Sequence, residues 1–400
     1  MTGLPSLAFI CEGNPEIPGG AFSGTAFSLV SHLRAAGHPV RTVDCEPTGW
    51  RRALLAARTY RPQRPRWQAN FHFGEEAFAA RSHLATRGLA TGPRPDGVLI
   101  VGGTFLPALD ARTPLATYCD WNVALAVRFA EAGHSPTRHM SPRAIDAAMR
   151  REAAVYRRAD LVFTTTDKLR ESFIDDFRVP PERVIACYAG PNMDPAQVPW
   201  PRAPRAAGQP PTILFVGKEF ERKGGLVVLE AFRQVRAALP DARLRIMGPT
   251  ALPGGAAEEP GVELMGLLRK SDPEQFRQIV DAYTTADVFC LPSLYDPSPI
   301  ALVEAMLYGL PCVASDAWAM PERIVSGETG FVTPVGQPGP LAEQLTALLR
   351  DPARARAMGA AGRARADALF TWPAVAARVS EAMRDVMTAR AVDRPATAAV

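Results

Sequence analysis

Residues 213–225 read ILFVGKEFERKGG. Ile213 to Gly217 is a short, continuous apolar run with no polar alternation. A strand of this kind is buried on both faces, as in a parallel sheet. From Gly225 the period changes. Val228, Phe232, Val235 and Leu239 fall on one stripe of a helix, which Pro240-Asp241 stops. Strand, glycine-bearing turn and helix make up the repeating unit of a parallel α/β sheet.

The unit recurs in both directions along the chain. Upstream, strands are expected at Leu7–Cys11, Val40–Val43, Val98–Val101, Leu115–Tyr118, Leu161–Thr165 and Val184–Ala189. Downstream of Ile213–Gly217 they are expected at Leu244–Gly248, Val262–Gly266, Val288–Pro292, Cys312–Ser315 and Phe331–Thr333. Between the two sets, Asp194–Pro211 holds Pro195, Pro199, Pro201, Pro204, Pro210 and Pro211. Proline at that density continues neither a helix nor a central strand and reads as a semi-rigid linker. The expectation is α/β: two doubly wound, Rossmann-like domains facing a central cleft. They comprise an N-terminal domain over 1–194, a linker over 195–211, a C-terminal domain over 212–370, and a helix over 371–392 that can pack back on the N-terminal domain. Ligands of such folds bind at the carboxyl ends of the parallel strands.

Composition agrees with this. Four hundred residues, 47% hydrophobic and 22% charged, suit two or three soluble domains and exclude a disordered, collagen-like or coiled-coil chain. A net charge of +4 over this length does not mark a nucleic-acid binder. The six cysteines form no C-x-x-C and no zinc spacing, so free thiols in a reducing compartment are expected. The N-terminal MTGLPSLAFICEGNPE lacks a basic n-region, and no apolar run approaches the ~18 residues of a membrane span. A cytoplasmic protein is expected, with membrane association left open.

Three segments can carry chemistry. In Phe215–Gly225, Lys218 and Lys223 lie beside a helix start opened by Gly224-Gly225, which makes an anion site. The plainer alternative is a solvated turn in which Glu219 and Glu221 pair the lysines. In LPSLYDPSPIALVEAMLYGLPCVAS, Leu291–Ser315, Ser298 suits an N-cap and Pro299 the first helical residue. Asp296 and Glu304 then approach one mouth, with the Ile300 and Ala301 N–H groups between them. Carboxylates there suit sugar or ribose hydroxyls, and the N–H groups suit phosphate. Alternatively, Asp296 caps the turn and Glu304 pairs with a surface Arg. In IPGGAFSGTAFSLVSHLRAAGHPV, Gly19, Gly20 and Gly24 precede a helix from about Thr25 and allow backbone to approach a ligand, or merely make the turn.

Phe215–Gly225, Asp296–Val313 and PERIVSGETGFVTP at Pro321–Pro334, in this order and spacing, resemble glycosyltransferase family 4, the retaining sugar transferases of the GT-B fold. The resemblance is detailed from Ile213 to about Val379 and looser over Leu7–Asp194. It implies a retaining glycosyltransferase that moves a sugar from a nucleoside-diphosphate sugar to an acceptor hydroxyl on a glycan, a lipid-linked molecule or a small molecule. The family's diphosphate-binding pair falls on Lys218 and Lys223. Its E-x7-E motif falls on Asp296, toward the donor sugar, and Glu304, toward the ribose. Glu322 matches a further donor contact, and Gly248-Pro249 with Gly266-Leu267 would border the base. Lys218 stands where Arg is usual, Asp296 where Glu is usual, and Ser298-Pro299 where Phe-Gly is common. The N-domain His-Asp appears as Cys119-Asp120, which leaves Asp120 as an acceptor contact or a strand-end turn residue.

No cofactor and no metal are expected, since the chain has no Asp-x-Asp and lysines can neutralise the leaving diphosphate. Rival readings are a sugar-nucleotide epimerase or phosphorylase on the same fold, or a catalytically silent protein that binds nucleotide sugar or glycan. Trp50–Trp67, WRRALLAARTYRPQRPRW, carries six arginines between tryptophans. A basic, aromatic-flanked helix can lie on anionic lipid. The plainer alternative is an exposed helix and loop with solvated arginines.

Overall fold

The computed structural model describes residues 4–18, 21–130, 135–206 and 208–392. The chain divides into two compact units, one over Met1–Asn192 with Trp372–Val400, the other over Met193–Thr371.

The first unit holds β1 (Leu7–Cys11), β2 (Val40–Asp44), β3 (Gly97–Val101), β4 (Leu115–Cys119), β5 (Leu161–Thr164) and β6 (Val184–Ala186). They form one sheet in the order β2-β1-β3-β4-β5-β6, with every pair parallel. β1, β3, β4 and β5 are buried at every position, as the unbroken apolar runs require. β6 stops short of the expected Ala189. The chain turns there because Tyr188 sits at φ 64°, and the Cys187 and Tyr188 N–H groups both donate to Thr164 O at 3.0 Å.

The second unit holds β7 (Thr212–Val216), β8 (Arg243–Met247), β9 (Val262–Gly266), β10 (Val288–Leu291), β11 (Cys312–Ser315) and β12 (Gly330–Thr333). Their order is β12-β11-β10-β7-β8-β9, again all parallel. Strand order reverses between β1 and β3 in the first unit and between β7 and β10 in the second. In doubly wound sheets, those reversal points are where the strand ends open a crevice for ligands.

The helix Trp372–Val392 belongs to the first unit. Trp372 Nε1 donates to Pro191 O at 2.7 Å, and Arg378 donates to Cys187 O at 2.8 Å. His38, 2% exposed, is held at both ring nitrogens, 2.9 Å from Pro5 O and 2.6 Å from Ser380 Oγ.

Two stretches carry more structure than their composition suggests. The proline-rich stretch, expected as a semi-rigid linker, clusters with the second unit over 193–211. Val198 is buried, and the Trp200 ring lies over Gly309, where a Cβ would sit 2.3 Å from it. The Arg363 guanidinium stacks 5.4 Å from the Trp200 ring centroid. The prolines fix the path while these apolar side chains find surfaces to cover. Residues 50–67 are nearer the plainer alternative, a helix and loop, than a single basic helix. They form Gly49–Arg58 and the start of Arg64–Phe73, parted at Pro62, with a second proline in the first turn of the latter. Trp50 is 72% exposed, but Trp67 turns inward and donates to Ala56 O at 3.1 Å. No helix among the described residues is long and apolar enough to cross a membrane. Gly20 lies outside the described residues.

Ser380→Ala removes one partner of a fully buried imidazole. The expected cost is about 1–3 kcal/mol of stability, read as a lower urea midpoint at unchanged slope. An unchanged midpoint would show that this bond does not hold the closing helix.

Candidate active site

The second unit's site begins where β7 and β8 end. Gly217 N–H donates to Met247 O at 2.9 Å, and Gly248 N–H to Gly266 O at 2.8 Å. Gly248 has φ 126°, and a Cβ there would stand 2.6 Å from the Gly217 carbonyl carbon. Only glycine lets these two strand ends lie so close. The turn after Gly217 closes on itself through Lys223 N–H to Glu219 O at 2.9 Å and Gly225 N–H to Phe220 O at 2.8 Å. Gly224, at φ 79°, starts the helix Gly225–Ala238 against Pro292, whose carbonyl oxygen a Cβ would meet at 2.0 Å. The turn after β7 is thus pressed onto the loop after β10, on the two sides of the reversal point.

The Lys223 ammonium pairs with the Asp296 carboxylate; their side chains are 15% and 4% exposed. Asp296 Oδ1 also accepts from Ser298 N–H at 3.3 Å, so it does cap its own turn. Arg222 braces the same loop, donating to Tyr295 O at 2.6 Å and pairing with Glu219 at 2.7 Å. The Glu304 carboxylate, 5% exposed, pairs with Lys270 and receives the Tyr283 hydroxyl at 3.3 Å. Tyr283 in turn stacks on Tyr308 with ring centroids 4.9 Å apart. Glu304 therefore meets a lysine of the β9 loop rather than a surface arginine.

Asp296, Glu304 and Lys223 stand close to the strand ends as expected, and Lys218 is exposed beside them. Gly248 and Pro249 are buried at the end of β8, while Leu267 is 42% exposed after Gly266 at the end of β9. Glu322 is half-buried, and its carbonyl accepts from Arg365 at 2.9 Å. The helix start differs from expectation. Helix Ile300–Leu307 is preceded by Pro299 at the cap position, with no side-chain cap from Ser298. The Ile300 N–H is not free, because it turns back to Ser298 O at 2.9 Å. Pro299, at φ −77° and ψ 72°, makes the tight three-residue turn that closes that bond. Among the described residues, the Ala301 N–H keeps no acceptor.

In the first unit, Asp120 follows β4. Its Oδ1 is buried and finds no partner among the described residues, and burial pushes its carboxyl up to about 6. Glu152, 4% exposed, accepts from Val123 N–H at 2.9 Å, and burial pushes it up to about 8. At the β1/β3 reversal point the fully buried Arg81 lies 2.9 Å from Glu12 and 3.7 Å from Glu46, and Thr104 donates to Glu12. Burial raises the Glu12 carboxyl against the pull of Arg81.

Comparison with known proteins agrees with the two-sheet fold. Residues 199–365 match the model of "Glycosyl transferases group 1" and residues 23–190 that of a "Glycosyl transferase 4-like domain". The chain belongs to glycosyltransferase family 4, with the GT-B fold. As a family-4 chain it is 36% identical over 197 residues to a phosphatidyl-myo-inositol mannosyltransferase of Mycobacterium leprae, covering 46% of this chain and 50% of that one. It is 28% identical over 256 residues to a D-inositol 3-phosphate glycosyltransferase of Corynebacterium glutamicum, covering 59% of each. It thus spans about half to three-fifths of the length of these curated relatives. Among solved structures, a sucrose-phosphate synthase from Thermosynechococcus elongatus superposes with a TM-score of 0.69 at 18% identity, over 96% of this chain and 100% of the other. Anabaena HepE, solved with UDP and glucose, does so with a TM-score of 0.58 at 16% identity, over 95% and 99%.

In this family-4 chain, sequence reasoning missed Lys270, Tyr283, Tyr295 and Trp318 at the second unit's site, and Glu12, Glu46 and Arg81 in the first. Lys270 and Glu12 each lie just past a strand end, a position that could have drawn notice. Tyr283 looks like any apolar residue of helix Pro273–Thr285. Trp318 is held at φ 53°, a strained conformation for a bulky residue, by an edge-on contact with Tyr295 at 4.5 Å.

Lys223→Ala strands the buried Asp296 carboxylate, and the expected loss is about 3–5 kcal/mol. Adding Asp296→Asn should restore most of it, since a neutral amide tolerates the site. Chemical denaturation of both variants checks this; a double variant no more stable than the single would contradict the pairing.

Proposed function

We propose that the protein is a retaining glycosyltransferase that moves a sugar from a nucleoside-diphosphate sugar to an acceptor hydroxyl. The observation that carries this reading is the pair of buried carboxylates, Asp296 and Glu304, each opposed by a lysine, at the reversal point of the second sheet. Carboxylates there accept hydroxyl donors from sugar and ribose, and the lysines are then available to phosphate oxygens. In this account Glu304 holds the ribose, Asp296 the donor sugar, and Lys218 and Lys223 the diphosphate. Ala301 N–H adds a donor at the helix start, Glu322 a further donor-side contact, and the strand ends at Gly248 and Gly266 border the base.

The chemistry asks little covalent work of the protein. Negative charge grows on the leaving diphosphate, and preorganised positive groups stabilise it. Same-face attack by the acceptor hydroxyl, with its proton taken by the departing phosphate, gives retention without an enzyme nucleophile. Asp120, with an unpartnered buried oxygen, is assigned to the acceptor. UDP-sugars are the first donors to test, because HepE was solved with UDP. Inositol-based acceptors come next, because the curated relatives are named for them.

The test is turnover of a UDP-sugar panel with those acceptors in excess EDTA. Activity is expected to survive the chelator, since fixed lysine charge takes the place of a metal. Lys223→Ala is expected to lose about two to three orders of magnitude in turnover, by analogy with a lost oxyanion donor. Activity abolished by EDTA and restored by Mg²⁺ or Mn²⁺ would overturn this account of the leaving group.

Peripheral contact with anionic membrane through 50–67 is part of the same proposal, in support of a lipid-linked acceptor. Trp50, Leu54 and Tyr60 are all exposed, and Arg51, Arg58, Arg61, Arg64 and Arg66 surround them. Sedimentation with anionic vesicles should fall as salt rises. Replacing Arg51, Arg58 and Arg61 by Ser should reduce it further, and equal sedimentation of parent and variant at low salt would sink the idea.

A further inference from the structure

We infer that the second unit carries a second anion site, at the opposite, amino-terminal end of its strands, where Arg202, Arg205 and Arg356 bind a phosphate dianion, either free or as a small monoester. A pocket there is lined by these three arginines, by Asp287, and by an apolar floor that includes Leu348 and Leu349. Asp287 immediately precedes β10, so the pocket sits at the amino end of the strands. The proposed nucleotide site sits at the carboxyl end, about 13 Å away along a four-residue strand.

The charges do not balance within the pocket. Asp287 is its only carboxylate. Asp287 Oδ2 is already committed, accepting from Thr212 N–H at 2.8 Å and pairing with Arg205 at 3.0 Å. Arg205 Nη1 is buried without a well-aligned hydrogen bond. Arg202 makes one long contact, Nε to Thr284 O at 3.4 Å. Arg356 makes no hydrogen bond or ion pair among the described residues. Three guanidiniums against one carboxylate leave a surplus of two positive charges, which matches a dianion. Burial, above all, and the neighbouring Arg356 hold the Arg202 guanidinium below its ordinary value, while Asp287 pulls the other way. An anion would relieve that crowding.

The geometry suits a tetrahedral oxyanion. Guanidinium forks bind phosphate oxygens in bidentate fashion. The 18-residue helix Pro352–Leu369 starts at the pocket, with Pro352, Ala355 and Arg356 in its lining, so its positive end adds to the field. The apolar floor lowers the local dielectric and strengthens the attraction. Proline-fixed backbone at Pro204 and the ion pair with Asp287 keep Arg205 in place. A bound phosphate would tie the segment before β7 to helix Pro352–Leu369.

Calorimetric titration of the full chain with inorganic phosphate, and separately with glycerol 3-phosphate, against sodium chloride at matched ionic strength tests this. Saturable 1:1 binding is expected. Arg356→Gln, an exposed change that does not threaten folding, should weaken it at least about tenfold, and Arg202→Gln/Arg356→Gln should remove it. Lys218→Ala, at the proposed nucleotide site, should leave it intact. Tighter binding of the monoester would identify an organic phosphate as the ligand, and equal binding would identify free phosphate. No saturable binding of either probe, binding unaffected by the arginine changes, or binding lost in Lys218→Ala would overturn the proposal. None of these outcomes depends on whether the protein transfers sugar.

Discussion

The ion pair between Lys223 and Asp296 ties together the two loops that make the second unit's site. Lys223 ends the turn after β7, and Asp296 lies in the loop after β10. These strands are neighbours in the sheet but far apart in sequence, because strand order reverses between them. Asp296 is 4% exposed, so its charge is costly without a partner. The contact is made possible by backbone on backbone. Gly224 presses on Pro292, and Gly248 presses on Gly217, at distances where a Cβ could not fit. The glycines bring the loops together, and the ion pair then fixes which side chains face each other.

The same logic extends to Glu304. It is as deeply placed as Asp296 and is likewise opposed by a single lysine, with Tyr283 as a second donor. Two desolvated carboxylates with two cations within reach form a site whose charge is balanced, yet whose carboxylates can turn to hydroxyl donors and whose lysines can turn to phosphate. A surface pair would be worth little and would be screened. In the proposed reading, burial is what makes this arrangement matter for binding and for charge development.

The alternation of apolar runs and helical stripes made the twelve strands among the described residues legible, most plainly where a strand such as β1, β3 or β10 is buried on both faces and carries no polar residue to confuse the period. Boundaries failed where side chains or prolines intervened. β6 ended early at the left-handed Tyr188, and the helix at Ile300 began after Pro299 rather than at a Ser298 cap. The proline-rich stretch was visible as a break, but not as a strap on the second unit. That depends on Trp200 finding Gly309 and Arg363, more than 100 residues away in sequence. In the site, Lys223, Asp296 and Glu304 stood out by spacing from a helix start. Lys270 and Arg81 did not, since a lone cation in a loop or helix looks like a solvated charge until the fold buries what it faces. Of the two readings of 50–67, one basic helix or an exposed helix and loop, the structure is nearer the second, because the chain breaks around Pro62 before a further helix starts.

The central claim is that Glu304 and Asp296 divide the donor between them. Calorimetry of UDP binding to the parent, Glu304→Ala and Asp296→Ala measures this most directly. The account predicts that Glu304→Ala weakens nucleotide binding by about 1.5–3 kcal/mol, the worth of a charged hydrogen bond. Asp296→Ala should bind nucleotide nearly as well as the parent. Glu304→Ala binding as tightly as the parent would contradict the assignment of that carboxylate to the ribose.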